Sequence, residues 1–165
     1  MTPPCPVTWR RGTTHTSTVP LAVAGVALVD TGALLALANP RDQYHAEAIA
    51  LSRRHLAGGG RLVGTVLVLA ELHGHLLHRR GPELARGVVT DLMADPAYEW
   101  VEVAAELVRD ALARWLARFR DQRFSLTDAV SFEVMRRGRI RAAFAFDSDF
   151  TRAGFELLVS SRPPR

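Results

Sequence analysis

Short apolar runs that stop at an acid constrain this chain more than any other feature. VALV ends on Asp30 and AFAF ends on Asp147, with Asp149 two positions further on, while Glu71 and Asp128 enter helical stretches between them. Runs of this length and composition read as strands buried on both faces, the kind found in parallel sheets covered by helices. In open α/β sheets ligands bind beyond the carboxyl ends of the strands, so acids at those tips point to a site.

The rest of the chain alternates apolar runs with longer helical patterns, which predicts β-α units around a parallel sheet. A first strand is expected from about Val23 to Val29, followed by a helix from Thr31 through Ala38 that Asn39-Pro40 stops. A second helix is expected from Gln43 to Leu56, ending at the Gly58-Gly59-Gly60 triplet. That triplet lacks a following Lys-Ser or Lys-Thr and follows a helix, which argues against a phosphate-binding loop. Arg61 to Gly64 predicts a second strand, and Thr65 the N-cap of a helix over Val66 to Arg80. Beyond Gly81-Pro82 come a helix from Glu83 to Met93, a strand from Tyr98 to Val103 and a long amphipathic helix from Ala104 to Arg120. Ser125 or Thr127 caps the next helix, Asp128 to Arg137, which Gly138 ends. Strands from Ala142 to Phe146 and Glu156 to Val159 complete the pattern.

At 165 residues, 48% of them hydrophobic, the chain suits one domain with a substantial core. Residues 1–22 are expected to be a disordered leader or a start placed too far upstream, residues 23–160 the domain and 161–165 a basic tail. The leader's Arg10 and Arg11 before an apolar stretch superficially resemble a secretion signal. That stretch runs into Asp30 without a cleavage site and is too short to span a membrane. The single cysteine, Cys5, excludes an internal disulfide and a thiolate metal site, which favours a reducing, cytoplasmic location. The net charge of +4, carried entirely by arginine on the basic side, and a pI near 10.4 suit a polyanionic partner. Base composition of the genome explains the same enrichment equally well.

The contexts VDTGAL at Asp30, LAELHG at Glu71, SLTDAVSFEVM at Asp128 and FAFDSDF at Asp147, in this order and spacing, resemble the PIN-domain ribonucleases. Among these the VapC-type toxins of toxin–antitoxin pairs are the most similar. The resemblance covers Val26 to Val159 and implies a three-layer α/β/α domain with a central parallel sheet of four to five strands. It implies that Asp30, Glu71, Asp128 and Asp147 form an acidic quartet, with Asp149 as a secondary member, that binds Mg²⁺ or Mn²⁺ and cuts RNA to 5′-phosphate and 3′-hydroxyl ends. Thr31 and Thr127 match the polar positions beside the acids. A cognate antitoxin and a homodimer are the implied protein partners. The leader and the histidines after Glu71 depart from the family pattern.

The chemistry follows independently of the family. Hydrolysis of a phosphodiester needs an activated water and a clamp for developing charge, and a divalent metal supplies both. All-oxygen ligands favour hard ions, whereas zinc prefers His or Cys. Clustered carboxylates without metal repel one another, so at least one is expected to hold a proton at raised pKa. Capping remains an alternative for Asp30 and Asp128. Glu71 lies mid-helix among apolar neighbours and caps nothing, which makes it the stronger evidence for a site.

Glu71, His75 and His78 share a helical face that His73 does not, which leaves open whether His75 contacts RNA or is an ordinary surface residue. His15, His45 and His55 show no informative spacing. Arg79, Arg80, Arg120 and Arg123, and above all Arg136, Arg137, Arg139 and Arg141, are the expected supply of phosphate contacts around an acidic pocket. Solvated helix ends explain many of them as well. Two other functions stay open: a catalytically weak PIN scaffold that acts by protein association, and a solitary PIN nuclease in RNA processing. A phosphotransferase with an aspartate nucleophile needs a second acid where Gly32 stands.

Overall fold

The computed structural model describes residues 25–158. The expectations for the leader and for the basic tail fall outside them. Among the described residues no helix is long and apolar enough to cross a membrane.

The elements follow one another as β1 (Val26–Val29), α1 (Thr31–Ala38), α2 (His45–Ala57), β2 (Arg61–Thr65), α3 (Val66–Arg80), α4 (Pro82–Ala94), β3 (Tyr98–Val101), α5 (Ala105–Ala111), α6 (Leu126–Gly138), β4 (Ala142–Phe144), α7 (Asp149–Arg152) and β5 (Glu156–Leu157). The strands form one parallel sheet in the order β3-β2-β1-β4-β5. β1 is central, which explains why its sequence is uniformly apolar.

Successive strand residues face opposite sides of the sheet, and the two sides bury different layers. Ala27, Val29, Leu62 and Phe144 pack with α1, α2, α3 and α4, against Leu34, Leu51, Leu72 and Ala85. Leu28, Val63 and Ala143 pack on the opposite side, with Leu107, Trp115, Phe132 and Phe150 from α5, α6 and α7 and the segment joining them. This is the three-layer α/β/α arrangement with five parallel strands. Gly64 in β2 is required by its neighbour, because a Cβ there would collide with the Trp100 ring, whose Nε1 donates to Leu92 O at 2.9 Å.

Two expectations need correction. The helix from Ala104 to Arg120 breaks up: α5 stops at Ala111 and a π-helical turn, Leu112–Leu116, closes with Ala117 N donating to Leu112 O. The wider turn carries Trp115 into the core, where it meets Phe132 edge-on and stacks on Phe119. Of the two candidate caps for α6, Ser125 is the one used, which bears out that expectation. Gly138 stays helical, and the left-handed residue that ends α6 is Arg139, with φ of 53°. There Ile140 N reaches back to Met135 O at 2.8 Å while the Ile140 side chain is buried, so apolar burial draws the chain past the glycine before it turns.

Candidate active site

Each acid owes its position to a local signal. Asp30 follows β1, and its backbone N donates to Phe144 O, which fixes the tip of β1 beside the end of β4. Its side chain accepts from Gly32 N at 3.1 Å and caps α1. Asp128 is the third residue of α6, where its carboxylate accepts from Ser125 N at 2.7 Å while its own N donates to Ser125 Oγ at 3.0 Å, a reciprocal capping box. Asp147 lies three residues beyond β4 and accepts from Asp149 N at 2.9 Å. Asp149 opens α7 and takes an ion pair from Arg152 at 2.9 Å.

Capping therefore describes Asp30 and Asp128 correctly, yet it does not remove them from a shared electrostatic field. Asp30 is 6% exposed, and burial, reinforced by the charges of Asp147 and Asp128, pushes its carboxyl up to about 7 against the hydrogen bond from Gly32. Burial also raises Asp128, with help from Asp147 and Asp149. Asp147 is raised by burial and by Asp149. Burial is the leading cause in all three, and the charges of neighbouring acids add to it: Asp147 and Asp128 act on Asp30, and Asp147 acts on Asp128.

Glu71 joins from α3 through a direct bond, the Thr31 hydroxyl donating to its Oε2 at 2.9 Å. Thr31 is buried, so its hydroxyl serves Glu71, whereas Thr127 is partly exposed in the first turn of α6. His75 is exposed and lines a cavity of about 100 Å³ with Asp42 and Arg79; His78 is exposed. Among the described residues no three His, Cys, Asp or Glu side chains already enclose a point where a metal ion would sit. The acids are near enough to repel but not closed together. The donor set is all oxygen, which matches a hard ion reached partly through its own waters.

The arginine cluster expected to rim the acids sits elsewhere. α6 points its N-terminal turn, with Asp128, at the acids, so Arg136 and Arg137 lie at its other end, roughly 12 Å along the axis at 1.5 Å per residue. Both hold Glu133, a side chain with no exposed surface: Arg136 Nη2 reaches Oε1 at 2.7 Å, Arg136 Nε reaches Oε2 at 3.0 Å and Arg137 Nε reaches Oε1 at 2.9 Å. Arg137 also pairs with Asp110, Trp115 Nε1 donates to Glu133, and Arg114 Nε stands 3.4 Å from it. Burial alone would raise Glu133, but these donors prevail and hold it at about 2. Arg139 and Arg141 are exposed just before β4, at the opposite end of that strand from Asp147. Glu133 is the buried structural carboxylate that sequence reasoning passed over. Its signal was present, an acid at i−3 and i−4 from adjacent arginines.

A PIN domain model matches residues 27–156. The 23S rRNA-specific endonuclease VapC20 of Mycobacterium tuberculosis is 34% identical over 135 residues, which make up 82% of this chain and 97% of that protein. The crystal structure of that VapC20, described as a Sarcin-Ricin loop cleaving toxin, superposes with a TM-score of 0.69 over 79% of this chain and 96% of that one, at 32% identity. VapBC2 from Rickettsia felis, solved bound to a DNA fragment from its promoter, shares the fold at 13% identity, with a TM-score of 0.57 over 80% of this chain and 96% of that one. PIN nucleases in general depend on a divalent metal. The chain belongs to the PIN-domain family and, within it, to the VapC-type endoribonuclease toxins.

Proposed function

We propose that Asp30, Glu71, Asp128 and Asp147, with Asp149 in support, hold Mg²⁺ or Mn²⁺ and carry the hydrolysis of ribosomal RNA. The observation that carries this reading is the half-buried acid group at the ends of β1 and β4 and the start of α6, in which Asp147 and Asp128 raise Asp30 and Asp147 raises Asp128. Such a group is electrostatically strained without a cation and relaxed by one. A bound divalent ion supplies a water of lowered pKa and a clamp for charge developing on the phosphate. Asp30, rigidly capped at the tip of β1, provides the fixed anchor; Asp128 is equally fixed by its capping box. Glu71 is oriented by Thr31 and accepts a proton or a water hydrogen from the reacting side. Asp149 positions Asp147 through its backbone N–H.

The similarity to a 23S rRNA-specific endonuclease supports rRNA as the substrate class and a cytoplasmic site of action. Membership of the VapC type supports a cognate antitoxin as protein partner. Exposed Leu77, Leu84 and Met93 on α3 and α4 support a homodimer, which light scattering measures directly. The test of function is induced expression of the wild-type chain beside Asp30→Asn and Asp128→Asn, with RNA ends mapped. New 5′-phosphate ends in 23S rRNA in the wild type alone are the expected outcome. A folded wild type that yields no new ends with Mg²⁺ or Mn²⁺ refutes the proposal.

A further inference from the structure

An open pocket of about 370 Å³ adjoins the acids and shares Asp147 with them. Gly32, whose backbone caps onto Asp30, forms part of its wall, and Asp42, Gln43 and Tyr44 line it from the loop before α2. Phe146 lies between β4 and Asp147, so the pocket and the acid group are joined through adjacent residues. The rings of Tyr44 and Phe146 stack at 4.6 Å with an interplanar angle of 6°, and Phe146 meets the fully buried Phe144 edge-on.

Tyr44 remains 39% exposed although one side of its ring rests on Phe146. An aromatic that the core does not need, kept flat and partly open beside a reaction centre, is a stacking surface. Its support is rigid. Tyr44 N donates to Asp42 Oδ1 at 2.9 Å, His45 Nδ1 lies 2.7 Å from Ala36 O and pins the loop to α1, and Phe146 is backed by Phe144. The polar groups of the wall, the Asp42 and Asp147 carboxylates and the Gln43 amide, suit the edge of a base and repel a phosphate.

We propose that this pocket binds a nucleobase of the RNA next to the scissile phosphate, stacked on Tyr44 with Phe146 behind it and its edge read by Gln43 and Asp42. The proposal rests on the ribonuclease reading of the neighbouring acids and adds a source of sequence preference to it. Stacking on an aromatic tolerates every base, so the platform fixes position while Gln43 and Asp42 supply selectivity. A base held there comes from an unpaired or splayed nucleotide, which restricts cutting to loops and single strands.

The test uses a synthetic RNA built around the cut that the wild type makes, together with copies abasic at the nucleotide on either side of it, in Mg²⁺. The wild type should prefer intact RNA over one of the abasic copies by roughly tenfold to a hundredfold in kcat/KM, the range expected for loss of one stack. Tyr44→Ala should bring that ratio near one, and Tyr44→Phe should keep it. Because the ratio compares two substrates on one enzyme sample, it does not depend on how much of a variant is folded. A ratio unchanged in Tyr44→Ala, or a wild type indifferent to both abasic copies, overturns the pocket while leaving the nuclease reading intact. A Tyr44→Ala protein that keeps the ratio but escapes inhibition by a co-expressed antitoxin assigns the pocket to a protein partner and also overturns the proposal. A wild type that cuts no RNA overturns both.

Discussion

The hydroxyl of Thr31 donates to Glu71 Oε2 at 2.9 Å, joining two residues forty positions apart in sequence. It is the direct bond between the helix after β1 and the acid on α3, and Thr31 is buried where it forms. Thr31→Val keeps the shape and deletes the donor, so Glu71 loses its fixed rotamer while the other acids stay in place. A hydrogen bond to a charged acceptor contributes about 1.5–3 kcal/mol. The expected result is a loss of about tenfold or more in kcat with KM little changed, and Thr31→Ser should restore most of it. Equal kcat for Thr31→Val and wild type would show that Glu71 does not depend on this bond.

Asp30→Asn separates function from stability. Asparagine retains an acceptor for Gly32 N, so the α1 cap survives. The folded carboxyl at about 7 lies above its ordinary 3.8, so the folded state retains a proton between these values that the unfolded chain releases. Stability from this group is therefore full below about pH 4 and lost as pH rises through about 7. Without added metal, the variant should be more stable than wild type at pH 8, on the order of 4 kcal/mol, and indistinguishable from it near pH 4. RNA cleavage should fall by at least about a hundredfold. Urea melts at the two pH values check the first claim, and a stability difference that does not change with pH would refute the repulsion argument.

The Glu133 cluster responds to pH with the opposite sign. Its carboxyl is held at about 2, below the ordinary 4.5, so its contribution to stability is present above about pH 4.5 and lost as pH falls through about 2. Glu133→Gln leaves Arg136, Arg137 and the buried Trp115 N–H facing a neutral amide in a site with no exposed surface. The loss should be about 3 kcal/mol at neutral pH. Thermal melts from pH 7 to pH 2 should show the gap between variant and wild type closing at the acid end. A constant gap would mean that packing, not charge, explains the cost.

How far the sequence could be read depended on whether one residue or a tertiary contact decided the outcome. VALV and the start of AFAF lie in β1 and β4, whose apolar side chains face both layers, and Thr65 and Ser125 cap where the apolar pattern begins. The π turn at Leu112–Leu116 leaves no such mark, because it exists to place Trp115 among phenylalanines brought from other elements. Arg136 to Arg141 looked like one basic patch, since a linear reading cannot show that Glu133 faces inward and takes two of the four guanidinium groups. Asp30 and Asp128 resisted a choice between cap and site because each is a cap placed at a strand tip or helix start that also faces the other acids. Tyr44 and Phe146, about a hundred positions apart, acquire meaning only when β4 is laid beside β1.

Metal and proton should compete for the same carboxyls. With Asp30 near 7, an ion entering the group at neutral pH competes with the proton that Asp30 partly holds. Mn²⁺ affinity, followed by the electron-spin resonance signal of the free ion, should therefore fall as pH drops below about 7, by roughly tenfold per unit for each proton displaced. Asp30→Asn should both weaken binding and flatten this dependence, because the residue with the highest carboxyl is gone. Asp149→Asn, which retains the backbone N–H donated to Asp147, should bind nearly as well as wild type. Affinity that is the same at pH 6 and pH 8 would place the ion away from Asp30 and sink the assignment of that residue as an anchor.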